Sequence, residues 1–161
     1  MQRVGAAEFR RAASRFVTGV AVLTVPDGSG GICGMTANSF VTVSLSPPTV
    51  LVSVRPGRMH QAITQAGRYG VNVLPKDGQK LSRHFAGRPV EQADPSWQLV
   101  QRLPRLAGCV AFFACEVMQA VDVGDHTLFI AEVTDCDCSD TDPLVFFSSR
   151  YHLGPGAPLE G

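Results

Sequence analysis

The stretch from Met35 to Val54 constrains the fold more than any other part of this chain. Small polar residues, Thr36-Ala37-Asn38-Ser39, lead into the alternating run Phe40-Val-Thr-Val-Ser-Leu45. Pro47-Pro48 follows, and Thr49-Val-Leu-Val-Ser-Val-Arg55 returns as a nearly unbroken apolar run. Alternation at period two marks a strand with one buried face, whereas a continuous apolar run marks one covered on both. Proline cannot donate to a ladder, so the pair between the runs is expected to interrupt pairing.

The remaining patterns extend this β-reading. Val20–Val25 is an expected strand, Pro26–Gly31 a hairpin turn, and Ile32–Val43 a second strand with an irregularity at Gly34. Further strands are expected at Tyr69–Leu74, Val110–Val121, Thr127–Cys136 and Leu144–Phe147. Phe9, Ala12, Ala13 and Phe16 recur at helical spacing, with Thr18-Gly19 ending that helix. Met59, Ala62, Ile63 and Ala66 mark a second helix stopped by Gly67, and Asp77 is placed to cap a third carrying Leu81 and Phe85. Gly87–Arg105 reads as an irregular excursion anchored by Trp97, Leu99 and Leu103, and 154–161 as a loose Pro/Gly-rich tail. Regular strand–helix alternation is missing, so a parallel sheet is disfavoured. The expectation is a mainly β, antiparallel barrel with flanking helices, in a single domain over 1–161 with its core at about 9–153.

Charge excludes some partners. Lys plus Arg and Asp plus Glu are 14 each, which leaves no basic excess to attract nucleic acid or an anionic membrane. No apolar stretch approaches the length of a membrane span. The 5 cysteines lack framework spacing, which fits reduced thiols in a cytoplasmic protein. Asp135-Cys-Asp-Cys138 is a poor metal site, because thiolates and carboxylates prefer different ions and no His pair is near.

Three segments carry candidate chemistry, each beside a plainer reading. In Thr36–Ser39 the small side chains let a flat ligand approach the backbone, and N–H, Asn and Ser groups can donate to its carbonyls; the same residues also suit an ordinary bend at a sheet edge. Ser53-Val-Arg-Pro-Gly-Arg58 runs from a strand end into a helix start, so Arg55 and Arg58 stand beside unpaired N–H groups suited to an anion, or are solvated arginines beside a turn. Gly124-Asp125-His126 puts an imidazole at a barrel mouth, where it can bond a carboxamide or meet a pyrophosphate, or is a polar hairpin turn. Gly28–Gly34 is glycine-rich but lacks GxGxxG spacing and leads into a strand, not a helix. His60 and His84 fall on helical patterns as surface or packing residues.

Taken in order, Phe16–Thr24, Met35–Phe40, Ser46–Ser53, Tyr69–Leu74, His84–Gly87, Gly124–His126 and Tyr151-His152 resemble the flavin reductase-like family with the FMN-binding split barrel. The resemblance covers roughly Phe9–Leu153. It implies an antiparallel Greek-key split barrel and an NAD(P)H:flavin oxidoreductase using FMN or FAD with NADH or NADPH. It places Thr36, Ala37, Asn38 and Ser39 along the isoalloxazine and ribityl chain, Ser53, Val54 and Arg55 beside the flavin, and Arg58 near its phosphate. Phe85 and Ala86 would border the site, and His126 would meet the nicotinamide nucleotide. Asp125, beside it in the turn, is a candidate to orient the imidazole and bind with it, although neighbouring strand residues face opposite ways. Such proteins are usually homodimers, and the short chain favours delivery of reduced flavin to a separate monooxygenase. One departure stands out: Arg55-Pro-Gly-Arg-Met-His60 has no hydroxyl where family members often hold the phosphate with Ser or Thr. No residue is expected to act as acid or base, because hydride transfer needs positioning alone. The alternatives are a flavin-binding module without reductase activity and a flavin-dependent oxidase or monooxygenase acting directly on an organic substrate.

Overall fold

The computed structural model describes residues 3–160. In chain order the elements are α1 (Ala6–Ala13), β1 (Thr18–Gly19), β2 (Ala21–Pro26), β3 (Ile32–Ala37), β4 (Val41–Leu45), β5 (Pro48–Val54), α2 (Arg58–Ala66), β6 (Arg68–Val73), α3 (Gln79–Phe85), β7 (Trp97–Val100), β8 (Leu103–Leu106), β9 (Ala111–Val123), β10 (His126–Cys138), β11 (Leu144–Phe147) and β12 (Arg150–Leu153). Every strand pairing is antiparallel. The fold is therefore mainly β with flanking helices, as the alternating runs require.

The largest sheet has 7 strands in the order β3-β2-β6-β9-β10-β5-β4. Its two edge strands, β3 and β4, are consecutive in the chain and joined only through Asn38, Ser39 and Phe40. At roughly 3.5 Å per residue, that link spans no more than about 14 Å. The sheet must therefore roll until its edges approach, which makes a barrel left open between β3 and β4. β1, β11 and β12 form a separate sheet, and β7 and β8 a hairpin.

Side-chain alternation sorts the interior into two layers. Ala21, Leu23 and Val25 of β2, Tyr69 and Val71 of β6, and Val50, Val52 and Val54 of β5 fill the barrel, closed by Met59 and Ile63 of α2. The opposite face of β2 and β9 presents Val22, Phe112 and Ala114, joined by Leu74 just after β6 and covered by Leu103 and Leu106 of β8 and by Leu144. Two buried polar side chains stitch that second layer. Asn72 donates to the Val22 carbonyl (3.0 Å) and to Thr24 Oγ1 (3.1 Å), and accepts from the Leu106 N–H (2.7 Å). Thr24 in turn donates to the Pro104 carbonyl at 2.6 Å.

Several local expectations are corrected. Ile32–Val43 is not one strand: it breaks at Asn38–Phe40, while Gly34 pairs regularly with Thr24. Gly34 is required for another reason, since a Cβ there would lie 2.6 Å from the Phe85 ring. Pro47 occupies the turn, but Pro48 opens β5 opposite Leu45, as a strand's first residue can. The outward side chains of β5, Leu51 and Ser53, are half-buried, so that strand is not sealed on both faces. Gly78, not Asp77, precedes α3, and no side chain caps it. Thr18-Gly19 is a short strand of its own, pairing with β11. The excursion 87–105 contains β7 and most of β8, in which Leu103 is buried and Leu99 is exposed. Residues 154–160 form no helix or strand, and Gly161 lies outside the described residues. Among the described residues, no helix is long and apolar enough to cross a membrane.

Candidate active site

The barrel opening exposes the end of β3, the bend after it and the end of β5. Between them lies a cleft of about 360 Å³. Met35, Thr36, Ala37, Asn38 and Ser39 line one wall; Ser53, Val54, Arg55 and Arg58 line the other, with Met59 and His126 completing it. Segments far apart in sequence meet here because β5 pairs with β10, which sets Thr127 opposite Val54 and so brings His126 to the end of β5.

Hydrogen bonds fix this rim. The Thr36 hydroxyl donates to the Ser82 carbonyl of α3 at 2.6 Å. The Ser39 hydroxyl donates to the Ser53 carbonyl (2.9 Å) and accepts from the Ser53 N–H (3.1 Å). Both hydroxyl protons are thus committed to holding the bend between α3 and β5. Asn38 is exposed, and its amide has no partner among the described residues, which leaves two donors and an acceptor for a ligand. Pro56-Gly57 turns the chain into α2, and Gly57 adopts φ 157° and ψ −165°, a conformation that strains any side chain. No side chain caps α2, so its first N–H groups are free for an anion.

The other end is charged. Asp125 Oδ1 lies 2.8 Å from His126 Nδ1, and Asp125 Oδ2 lies 3.7 Å from Arg55. Asp125 belongs to the turn before β10, so strand alternation does not send it away from His126. The hydrogen bond from His126 and then its charge hold the Asp125 carboxyl below the ordinary carboxylate range. The group is exposed, so the trio orients the imidazole more than it stabilises the fold. Arg58 faces Asp27 at 4.0 Å and stands between this cleft and a neighbouring hollow of about 370 Å³ along α2.

Phe85 and Ala86 do not line the cleft. Phe85 packs over Gly34 and edge-on to Trp97, with ring centroids 5.9 Å apart, and so supports β3 from behind. Ala86 borders a different hollow, with Arg83, Arg88 and Arg150. Two lining residues were not singled out from sequence, Met35 and Met59. Their adaptable side chains supply apolar floor, and their one signal is that each flanks a polar candidate segment. His60 is also more than a surface residue: Nε2 lies 2.9 Å from Thr127 Oγ1, which itself donates to Asp122 at 2.6 Å. Because that hydroxyl proton is spent on Asp122, His60 Nε2 is the donor in the first contact.

An apolar floor, the free Asn38 amide and an uncapped helix start fit a flat, polar-edged ligand carrying a negative tail, and a flavin has that shape and chemistry. Among the described residues, no group of three or more His, Cys, Asp or Glu is arranged to hold a metal ion.

Comparison with known proteins agrees. The family described as "Flavin reductase like domain" matches residues 13–154. An NADH-dependent flavin reductase, StyB, of Pseudomonas fluorescens is 44% identical over 155 residues, covering 94% of this chain and 89% of that one. The solved structure of the flavin reductase PheA2 superposes with a TM-score of 0.90 at 41% identity, covering 95% of this chain and 100% of that chain. The styrene monooxygenase flavin reductase of Pseudomonas putida S12 gives 0.88 at 46%, covering 94% and 99%. This chain, with its antiparallel split barrel, belongs to the flavin reductase-like family.

Proposed function

We propose that the protein is an NAD(P)H:flavin oxidoreductase that reduces FMN or FAD with NADH or NADPH and supplies reduced flavin to a separate monooxygenase. The observation that carries this reading is the facing of Thr36–Ser39 against Ser53–Arg58, with the Arg55–Asp125–His126 trio at one end of the same cleft. A flavin lodged there supplies an acceptor for the hydride of a dihydronicotinamide. The chain's residues bind and orient. Met35, Val54 and Met59 give the ring an apolar seat. Asn38 and the backbone of the bend place fixed donors at the ring's polar edge, where negative charge grows during reduction. Arg58 and the start of α2 attract the anionic tail. His126, held by Asp125, meets the nicotinamide nucleotide from the other side.

Assembly and location belong to this proposal. A homodimer is favoured by apolar side chains left exposed on α1 and β4, Phe9 (65%), Val41 (51%), Val43 (51%) and Leu45 (94%), and a cytoplasmic location by the free thiols. Sedimentation equilibrium at micromolar protein tests it, with a monomer as the contrary result. Delivery to an oxygenase is supported by a relative whose name is styrene monooxygenase flavin reductase.

The activity test is anaerobic turnover: protein, NADH or NADPH, and a large excess of free FMN, FAD or riboflavin, with the dihydronicotinamide absorbance followed. Many turnovers are expected. A single stoichiometric reduction, or none, would transfer the assignment to a flavin-binding module or to an enzyme acting directly on an organic substrate.

A further inference from the structure

The hairpin that carries Asp125 and His126 has little to lean on. β9 leaves its neighbour β6 where Glu116 pairs with Arg68, apart from one further bond from the Val117 N–H to the Gly67 carbonyl. On the other side, β5 reaches β10 no further than Val54 opposite Thr127. Beyond those points, among the described residues, β9 has only β10 beside it, and the tip at 123–126 has no third strand at all. A two-stranded ribbon on its own is marginal in water. The ion pair of Arg55 with Asp125 is exposed and long, at 3.7 Å, and adds little.

A side-chain brace stands at the base of this tip. His60 lies in the first turn of α2, directly after Arg58 and Met59, which line the cleft. Its half-buried ring lies against β10 instead. Nε2 donates to Thr127 Oγ1 at 2.9 Å, and the ring stands edge-on to Phe129 with centroids 5.2 Å apart. Thr127 and Phe129 share one face of β10, and both are buried. The Thr127 hydroxyl donates in turn to Asp122 Oδ1 at 2.6 Å, and Asp122 is the residue opposite it on β9. The direction is fixed, because an ionised carboxylate only accepts and a hydroxyl has a single proton to give. The relay thus crosses both strands of the hairpin and ends on α2.

His126 and Thr127 are neighbours on one strand and point to opposite faces. A contact that fixes Thr127 therefore fixes the backbone from which His126 reaches the cleft. We propose that His60 is a positioning residue for the nicotinamide nucleotide: through Thr127 and Asp122 it ties the β9–β10 tip to the start of α2, and so holds His126 in place relative to the flavin's seat. The assignment rests on the flavin-reductase reading above and on the role given there to His126. Without the brace, His126 is in place only part of the time, and the apparent affinity for the nucleotide falls by that fraction.

The experiment compares wild-type protein with His60→Gln, His60→Leu and Thr127→Val, measuring KM and kcat for NADH, FMN affinity, and amide exchange over 122–127. Gln sets an amide N–H near the place of Nε2, Leu keeps apolar packing on Phe129 without a donor, and Val keeps the shape of Thr127 without its hydroxyl. His60→Leu and Thr127→Val are each expected to raise the KM for NADH about fivefold and to speed exchange at the tip, with kcat and FMN affinity unchanged. His60→Gln should return the KM toward the wild-type value, and His60→Leu added to His126→Ala should raise it no further. Should one variant fail to fold, the other, on a different element, carries the same test. A KM for NADH unchanged in the donor-less variants overturns the proposal, as does a rise that persists in full on the His126→Ala background. If wild-type protein turns over no NADH, the reductase reading fails instead. Exchange at the tip then still judges the brace: unchanged rates overturn it and faster rates uphold it.

Discussion

Single side chains decide how the two layers and the cleft hold together. Asn72 satisfies three partners in a fully buried position. Replacing it with Leu strands the Leu106 N–H and the Val22 carbonyl, and chemical denaturation should show a loss of about 2–4 kcal/mol. The cysteines divide sharply. Cys33, Cys109 and Cys115 are buried, whereas Cys136 and Cys138 are exposed. Burial pushes the Cys115 thiol up to about 12. A thiol-reactive chromogen should therefore label Cys136 and Cys138 quickly in native protein, and the other three only after unfolding. His126→Ala should raise the KM for NADH roughly tenfold or more, with flavin affinity unchanged. An equal loss of both in stopped-flow reduction and flavin titration would remove the imidazole's assigned partner. The sequence displayed Thr36–Ser39 as polar and small, but which hydroxyls are free was hidden. Thr36 gives its proton to Ser82, whose position depends on a helix 46 residues away in the chain.

Elements were legible where their period was uninterrupted and obscure where their turns broke the usual chemistry. β2, β6, β9 and β10 follow from alternation and β-branched content. The β7–β8 hairpin did not, because its turn uses Gln101 (φ 50°) and Arg102 (φ 65°) where Asn-Gly is the readable signal. The same disguise hid β12 behind Ser148-Ser149. Arg102→Gly should relieve the first strain and raise stability by about 0.5–1 kcal/mol, measured as a higher denaturation midpoint. Gln101 should be kept, since its side chain accepts from the Thr134 hydroxyl at 2.9 Å. The break at Asn38–Phe40 was equally silent, since a continuous alternating strand and two strands at opposite sheet edges share one local pattern.

At the scale of the whole molecule, burial sets the response to alkali. Cys115 and Tyr69 are both raised by desolvation in the barrel interior. Above the ordinary thiol value of 9.0 the unfolded chain gives up the Cys115 proton while the folded chain retains it. The folded state then binds more protons, so stability is full below that pH and falls as pH rises further. The urea midpoint should decline across that range, and Cys115→Ala should blunt the decline even if it lowers the midpoint at neutral pH. The antiparallel, helix-flanked architecture was readable from the strand pattern. A barrel was expected from it as well; which strands would become the edges of the rolled sheet was not, because that depends on pairings between segments far apart in the chain.

That geometry has a mechanical corollary. The two rims of the rolled sheet are tethered by a single short strap of backbone, Asn38–Phe40, and the cleft straddles it. A ring seated there works as a clasp on an unfastened cuff. Amide exchange should slow on both β3 and β4, the strands most remote from each other in ladder order, while the central pair β9 and β10 scarcely notices.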